Sequence, residues 1–178
     1  VHVAGGAVGT VDFDPGADTF NLTLWGDVFV LKLDDSGDFL WAKGFQISDF
    51  NTMSIDVSDI ALDGSGNVYV VGSFEGLADF DPGAGFAYLT SAGTGTDAYI
   101  LKLNSSGDFV WVKQIEGSGN CEAAAIAIDA SGELYITGKF ESTHDFNPGA
   151  GTQDLTPGAS ATDAFLLKLD ASGNYDWV

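Results

Sequence analysis

Arginine is absent from the 178 residues, and the six basic side chains, all lysines, face 26 acidic ones, a formal net charge of −20. Gripping a phosphate backbone needs clustered Lys and Arg, so nucleic acid is excluded as a partner. A single cysteine, Cys121, leaves no internal disulfide framework, and with only His2 and His144 beside it a zinc site lacks ligands. Apolar runs are short and punctuated, so no segment reads as inserting into a membrane. The chain opens at Val1 without Met and without a charged-then-apolar leader, which reads as a mature or excised piece. What is present is 45% hydrophobic and includes 24 glycines. That is enough apolar content for a packed core and argues against disorder.

Catalytic patterns are missing too. Gly-x-Ser-x-Gly does not occur, nor does a phosphate loop or a Gly-x-Gly-x-x-Gly leading into a helix. His144 adjoins Asp145 and has the chemistry of a base, yet the matching repeat positions are Val11 and Ala78. An exposed loop histidine without a catalytic role is expected there. No catalytic residue is assigned, and the chain is read as a non-enzyme.

Self-similarity carries most of the information. Asp12-Phe13-Asp14-Pro15-Gly16 returns as Asp79-Phe80-Asp81-Pro82-Gly83 and as Asp145-Phe146-Asn147-Pro148-Gly149, at spacings of 67 and 66 residues. Leu31-Lys32-Leu33 returns at Leu101 and Leu167, and Trp41 at Trp111 and Trp177, each spaced by 70 and 66. Inside the complete period four strand-like runs appear: Ser58 to Leu62, Asn67 to Gly72, Asp97 to Leu103 and Asp108 to Gln114. Tetrads such as Asp34-Asp35-Ser36-Gly37 and Asp63-Gly64-Ser65-Gly66 separate strands as hairpin turns.

Four antiparallel strands per repeat predict an all-β chain of β-propeller blades, lengthened by the Asp-Phe-Asp-Pro-Gly loop. The third strand decides against a sandwich. Ala98, Ile100 and Lys102 point one way, and Tyr99, Leu101 and Leu103 the other, so both faces are largely apolar. A blade is covered on both faces by its neighbours, whereas a sandwich strand has one wet face. Residues 1–45 form an incomplete blade lacking its first strand, 46–115 a complete blade and 116–178 another. The eleven blade strands fall one short of three blades. Two open faces predict further blades of the same chain or identical copies as partners, joined by strand addition or face stacking.

The runs Ile126–Gly138 and Asp163–Asn174 resemble the bacterial β-propeller repeat called SBBP, and the resemblance extends over essentially the whole chain. It implies a secreted or cell-surface bacterial protein and no shared catalytic residue. The extended Asp-Phe-Asp-Pro-Gly loop departs from the commonest form of that repeat.

The candidate site is this loop. On an extended segment alternate residues project to one side, so Asp12 with Asp14, Asp79 with Asp81 and Asp145 with Asn147 are candidate ligands of a hard cation such as Ca²⁺. The structural alternative buries Phe13, Phe80 and Phe146, uses the first carboxylate as a turn cap and leaves the second to water. Phe39/Trp41, Phe109/Trp111 and Tyr175/Trp177 offer sugar-stacking surfaces, but two residues' spacing puts each pair on one strand face, where packing between blades is expected. The resulting expectation is a non-catalytic extracellular structural or adhesive module with calcium bracing of the acidic loops. The alternative is a propeller that binds a surface glycan or protein.

Overall fold

The computed structural model of the chain describes residues 1–47, 54–158 and 162–178, and among them there are fifteen strands and no helix. Among the described residues no helix is therefore long and apolar enough to cross a membrane. The first blade comprises β1 (His2–Asp12), β2 (Asn21–Leu33) and β3 (Phe39–Ile47). The second comprises β4 (Ser54–Leu62), β5 (Val68–Glu75), β8 (Asp97–Leu103) and β9 (Phe109–Gly117), with β6 (Leu77–Asp79) and β7 (Tyr88–Thr90) inserted between β5 and β8. The third comprises β10 (Cys121–Ile128), β11 (Leu134–Phe140), β14 (Asp163–Leu169) and β15 (Tyr175–Trp177), with β12 (His144–Asp145) and β13 (Asp154–Leu155) inserted likewise. Within each blade every neighbouring pair is antiparallel. The outer strands of blades one and two run to Ile47 and Gly117, slightly past the boundaries expected at 45 and 115.

Turn chemistry explains the hairpins. Asp34 Oδ1 accepts N–H bonds from Ser36 and Asp38, and Asp63, Asn104, Asp129 and Asp170 repeat this two- and four-residue pattern. Each tetrad then needs a residue of positive φ, and Gly37, Gly66, Gly107, Gly132 and Gly173 supply it at 77–87°.

The blades stand face against face. Val68 through Phe74 are all buried, as are all of Asp97–Leu103 except the half-buried Lys102. Ala98 and Ile100 pack with Leu134, Ile136, Phe165 and Leu167 of the third blade. Tyr99, Leu101 and Leu103 pack with Val28, Val30 and Phe45 of the first. The two-faced strand thus closes two separate cores, the division its alternation predicts.

The aromatic pairs do not share a face. Leu33 pairs with Phe39 while Lys32 pairs with Trp41, and the same skip recurs at Val110 and Asp176. Each skip is a β-bulge, which inserts one residue and inverts the alternation. Phe109 consequently packs toward the first blade and Trp111 toward the third, while the bulged Leu40 and Val110 are about half exposed.

The segment expected to be a long loop is a short hairpin that leaves its own blade. β6 and β7 pair with each other, and β6 pairs with β3 of the preceding blade through Gln46↔Asp79 and Ile47↔Ala78. The β12–β13 hairpin does the same to β9 through Glu116↔Asp145 and Gly117↔His144. Strand alternation could not show this, because these strands have two or three residues and their partner lies some thirty residues earlier in the chain.

Candidate functional site

The Asp-Phe-Asp-Pro-Gly segments sit at the tips of these hairpins, and all three close in the same way. Asp12 Oδ1 accepts N–H bonds from Asp14 (3.1 Å) and Phe20 (2.9 Å). Asp79 Oδ1 accepts from Asp81 and Ala87, and Asp145 Oδ1 from Asn147 and Gln153. The second side chain is not left to water. Asp14, Asp81 and Asn147 each accept the N–H of Gly16, Gly83 or Gly149 at 2.7–3.0 Å through Oδ1. Among the described residues no group of three or more His, Cys, Asp or Glu side chains is arranged to hold a metal. One oxygen of each expected ligand is therefore engaged in closing the turn.

The phenylalanine is the anchor. Phe13 packs on Phe29, Phe80 on Tyr99 and Phe146 on Phe165, with ring centroids 4.7, 4.8 and 4.9 Å apart and tilts of 49–59°. All three phenylalanines are buried. Across the strand from each third-strand ring stands a glycine: Gly5↔Phe29, Gly72↔Tyr99 and Gly138↔Phe165. At Gly72 a Cβ would meet the Asp56 carbonyl and the Tyr99 ring, and at Gly138 the Glu122 carbonyl and the Phe165 ring. Missing side chains on one strand thus leave the space in which the neighbouring ring lies.

The hairpins swing out at a hinge of positive φ, Gly76 (85°) in the second repeat and Ser142 (64°) in the third. Ser142 is the one described non-glycine residue in that region of the Ramachandran map, a conformation costing about 1–2 kcal/mol for an L side chain. Beyond the second hairpin, Asp97 ties the return. Fully buried, it accepts N–H bonds from Ala92 (2.8 Å), the Gln114 side chain (2.6 Å) and Gly117 (3.3 Å). Burial pushes its carboxyl above the usual range, opposed by those three donors. Asp163 repeats the device with Gly158, but exposed. Sequence reasoning took Asp97 for a strand start, although its recurrence as Asp27 and Asp163 before each third strand was the available signal.

His144 is not an exposed loop residue. It is 1% exposed, on β12, with its Nδ1 3.3 Å from the Ser142 carbonyl oxygen and its Nε2 without a partner. The Phe140 ring lies edge-on, 6.2 Å away. Cys121 is buried as well, and burial pushes its thiol up to about 12, so it stays a neutral packing group.

Lysines and tryptophans staple each blade to the next. Lys32 Nζ and Trp41 Nε1 both donate to the Ser105 carbonyl in the last turn of blade two. Lys102 Nζ donates to the Ala171 carbonyl in the matching turn of blade three. Backbone carbonyls of these turns receive Lys32 and Lys102, while Lys43 of β3 reaches the Asp108 carboxylate beside the same blade-two turn at 3.6 Å. Trp41 and Lys43 lie against Gly107, and Trp111 and Lys113 against Gly173, where a Cβ would touch them at 2.9–3.2 Å. On the third blade Lys168 turns to Glu133 (2.6 Å) and Asp176 (2.8 Å), and Trp177 is 40% exposed.

Open clefts of about 290 and 300 Å³ run beside the second and third Asp-Phe-Asp-Pro-Gly tips. They differ in lining: Lys113, Glu116 and Asn147 border the third, Phe86 the second. Phe86 and Tyr88 are 75% and 52% exposed, and their rings are parallel with centroids 5.5 Å apart. The other repeats carry Thr19/Asn21 and Thr152/Asp154 there. Of this pair only Phe86 borders the cleft, together with Asp79 and Asp81, and the exposed rings have the chemistry of a stacking surface.

Comparison with known proteins adds two similarities. The chain is 30% identical over 148 residues to the regulatory protein FlaEY of Caulobacter vibrioides, covering 83% of this chain and 14% of that protein. It is 26% identical over 104 residues to an uncharacterized WD repeat-containing protein, L264, of Acanthamoeba polyphaga mimivirus, covering 54% of this chain and 7% of the other. The chain thus spans a small fraction of each. WD repeats are built as propeller blades, which agrees with the sheets described above. No family model matches the chain.

Proposed function

We propose that the chain is a stretch of an extracellular bacterial β-propeller of the SBBP kind, serving as a non-catalytic structural or adhesive scaffold. The observation that carries this reading is the repeated joint. All three Asp-Phe-Asp-Pro-Gly segments close a turn, and in the second and third repeats the hairpin that carries the segment also pairs with the preceding blade, so the joint occurs twice in series. The first blade's outer side, with Val3 and Phe20 about 40% exposed, has the character of an unused half of that joint. So has the third blade's, with Leu166 50% and Trp177 40% exposed. Further blades of the same repeat, in the same chain or in identical copies, would cover both. Similarity to part of a much longer bacterial protein supports a long array.

Residues 1–178 alone are expected to associate with increasing concentration in light scattering. A monodisperse, cooperatively unfolding monomer would overturn the reading. Calcium bracing at Asp12, Asp14, Asp79, Asp81, Asp145 and Asn147 is the finer part, resting on the two oxygen-bearing side chains that recur at each tip. A cation held at a hundred times its dissociation constant adds about 2.7 kcal/mol, several degrees in Tm. An identical Tm in chelator and in millimolar Ca²⁺ removes calcium from the proposal. The glycan-binding reading is favoured by one observation, the exposed Phe86/Tyr88 pair. It requires glycan-array signal that Phe86→Ala and Tyr88→Ala abolish.

A further inference from the structure

The two joints are built from the same backbone pairing but from opposite side-chain sizes. At the first, Ile47 at the end of β3 stands opposite Ala78 on β6. At the second, Gly117 at the end of β9 stands opposite His144 on β12. The large residue belongs to the strand in one joint and to the hairpin in the other. Gly117 and His144 are directly opposed, which sets their β-carbon positions about 5 Å apart, so their volumes trade against each other.

At the second joint the trade is complete. A Cβ built on Gly117 would fall within the imidazole of His144, so any side chain there displaces the ring. The ring makes no strong hydrogen bond: Nε2 has no partner, and Nδ1 has only the 3.3 Å approach to the Ser142 carbonyl. Its place beside Phe140, at 1% exposure, is that of a filler. A buried polar ring with an idle nitrogen is a poor choice of filler for a generic core, and its repeat counterparts are apolar.

We infer that these opposed positions are a key that fixes which hairpin docks on which blade. A hairpin carrying His accepts a fourth strand ending in Gly and is refused by one ending in Ile. A hairpin carrying Ala on a strand ending in Gly leaves a void. The partner surface of each blade is therefore selective for its own successor, and blade order is written into the joints as well as into the chain. This rests on the fold and on no assumption about calcium, location or ligand.

The test converts the second joint into the first. In the whole chain, Gly117→Ile, His144→Ala and the double variant are compared by hydrogen exchange at Val112–Gly117 and at the β12–β13 hairpin, together with Tm. Each single change is expected to lose protection at the joint and to lower Tm by several degrees, and the double variant is expected to regain most of both. Should Gly117→Ile fail to fold, Gly117→Ala with and without His144→Ala reads the same coupling at smaller size. The proposal is overturned if the losses simply add in the double variant, or if a side chain at 117 leaves protection unchanged. Neither result bears on self-association or metal binding, so failure here is distinct from failure of the proposed function.

Discussion

The first and second repeats carry the same Asp-Phe-Asp-Pro-Gly segment and use it differently. In the first, β1 and β2 run unbroken for 11 and 13 residues, paired from His2↔Lys32 to Asp12↔Asn21, and the hairpin stays with its own blade. In the second, the corresponding strands break into β5/β6 and β7/β8, and the hairpin crosses to β3. The hinge glycine is not the cause, since Gly9 has a φ of 91° and Gly76 one of 85°. Two things differ. Between hairpin and third strand the first repeat has Leu24-Trp25-Gly26, while the second has the six residues Ser91–Thr96. The second also has a blade before it within this chain. The short connector holds the hairpin in line, and the longer one supplies the slack with which a neighbour's edge can capture it. Capture satisfies backbone groups on an otherwise open strand edge.

The largest expected difference is at the anchors. Phe80 is fully buried between two blades, so Phe80→Ala should cost about 3–5 kcal/mol and loosen blade one from blade two. Phe13 belongs to a small cluster within its own blade, and Phe13→Ala should cost clearly less, a contrast denaturant unfolding can measure. Equal losses would mean the hairpin is no strap between blades.

The staples come next. Replacing Lys102 with Met removes a bond to the following blade, and about 1 kcal/mol with the exposure of the Ala171 turn to exchange is expected. Replacing Lys168 with Met should change only its own blade, because its partners Glu133 and Asp176 both lie there. If Lys168 proves the more costly of the two, the idea that lysines link blades is lost.

The smallest effect is in pH. The carboxyls of Asp129 and Asp170 are held below the usual range by backbone N–H bonds, foremost those of Glu133 and Asn174. Burial works against Asp63, but the Asn67 side chain and neighbouring donors outweigh it and its carboxyl also titrates low. With folded values below unfolded ones, their contribution is present above about pH 4 and fades as pH falls through the lowered values. Asp97 has the opposite sign: its raised carboxyl costs stability when charged, and acid relieves that cost. Asp63→Asn and Asp129→Asn should therefore flatten the acid limb of a stability–pH curve, whereas Asp97→Asn should steepen it. Curves of one shape for all three would contradict these environments.

Much of the fold could be read from spacing alone. The Leu-Lys-Leu and Trp anchors, the Asp-initiated turns and the two-faced run Asp97–Leu103 describe interactions within a few residues, or a repeat that copies them. Alternation even assigned Tyr99 and Ile100 to different neighbours correctly. It failed at Phe109 and Trp111 because a single bulged residue reverses parity without any sequence signal as strong as glycine or proline. At the candidate site, the paired Asp residues were visible, but which atoms their oxygens meet depends on how tightly the loop turns back on itself.

The amino-acid order by itself determined a repeating all-β array, its turns and the two apolar faces of each inner strand, because these follow from local backbone preference and two-residue periodicity. The tertiary structure alone decided that the hairpin leaves its blade, that His144 is buried over Gly117, and that Lys32 and Lys168 take different partners. Each of these depends on whether another sheet edge stands within reach, and a strand two residues long forms only where such an edge is waiting.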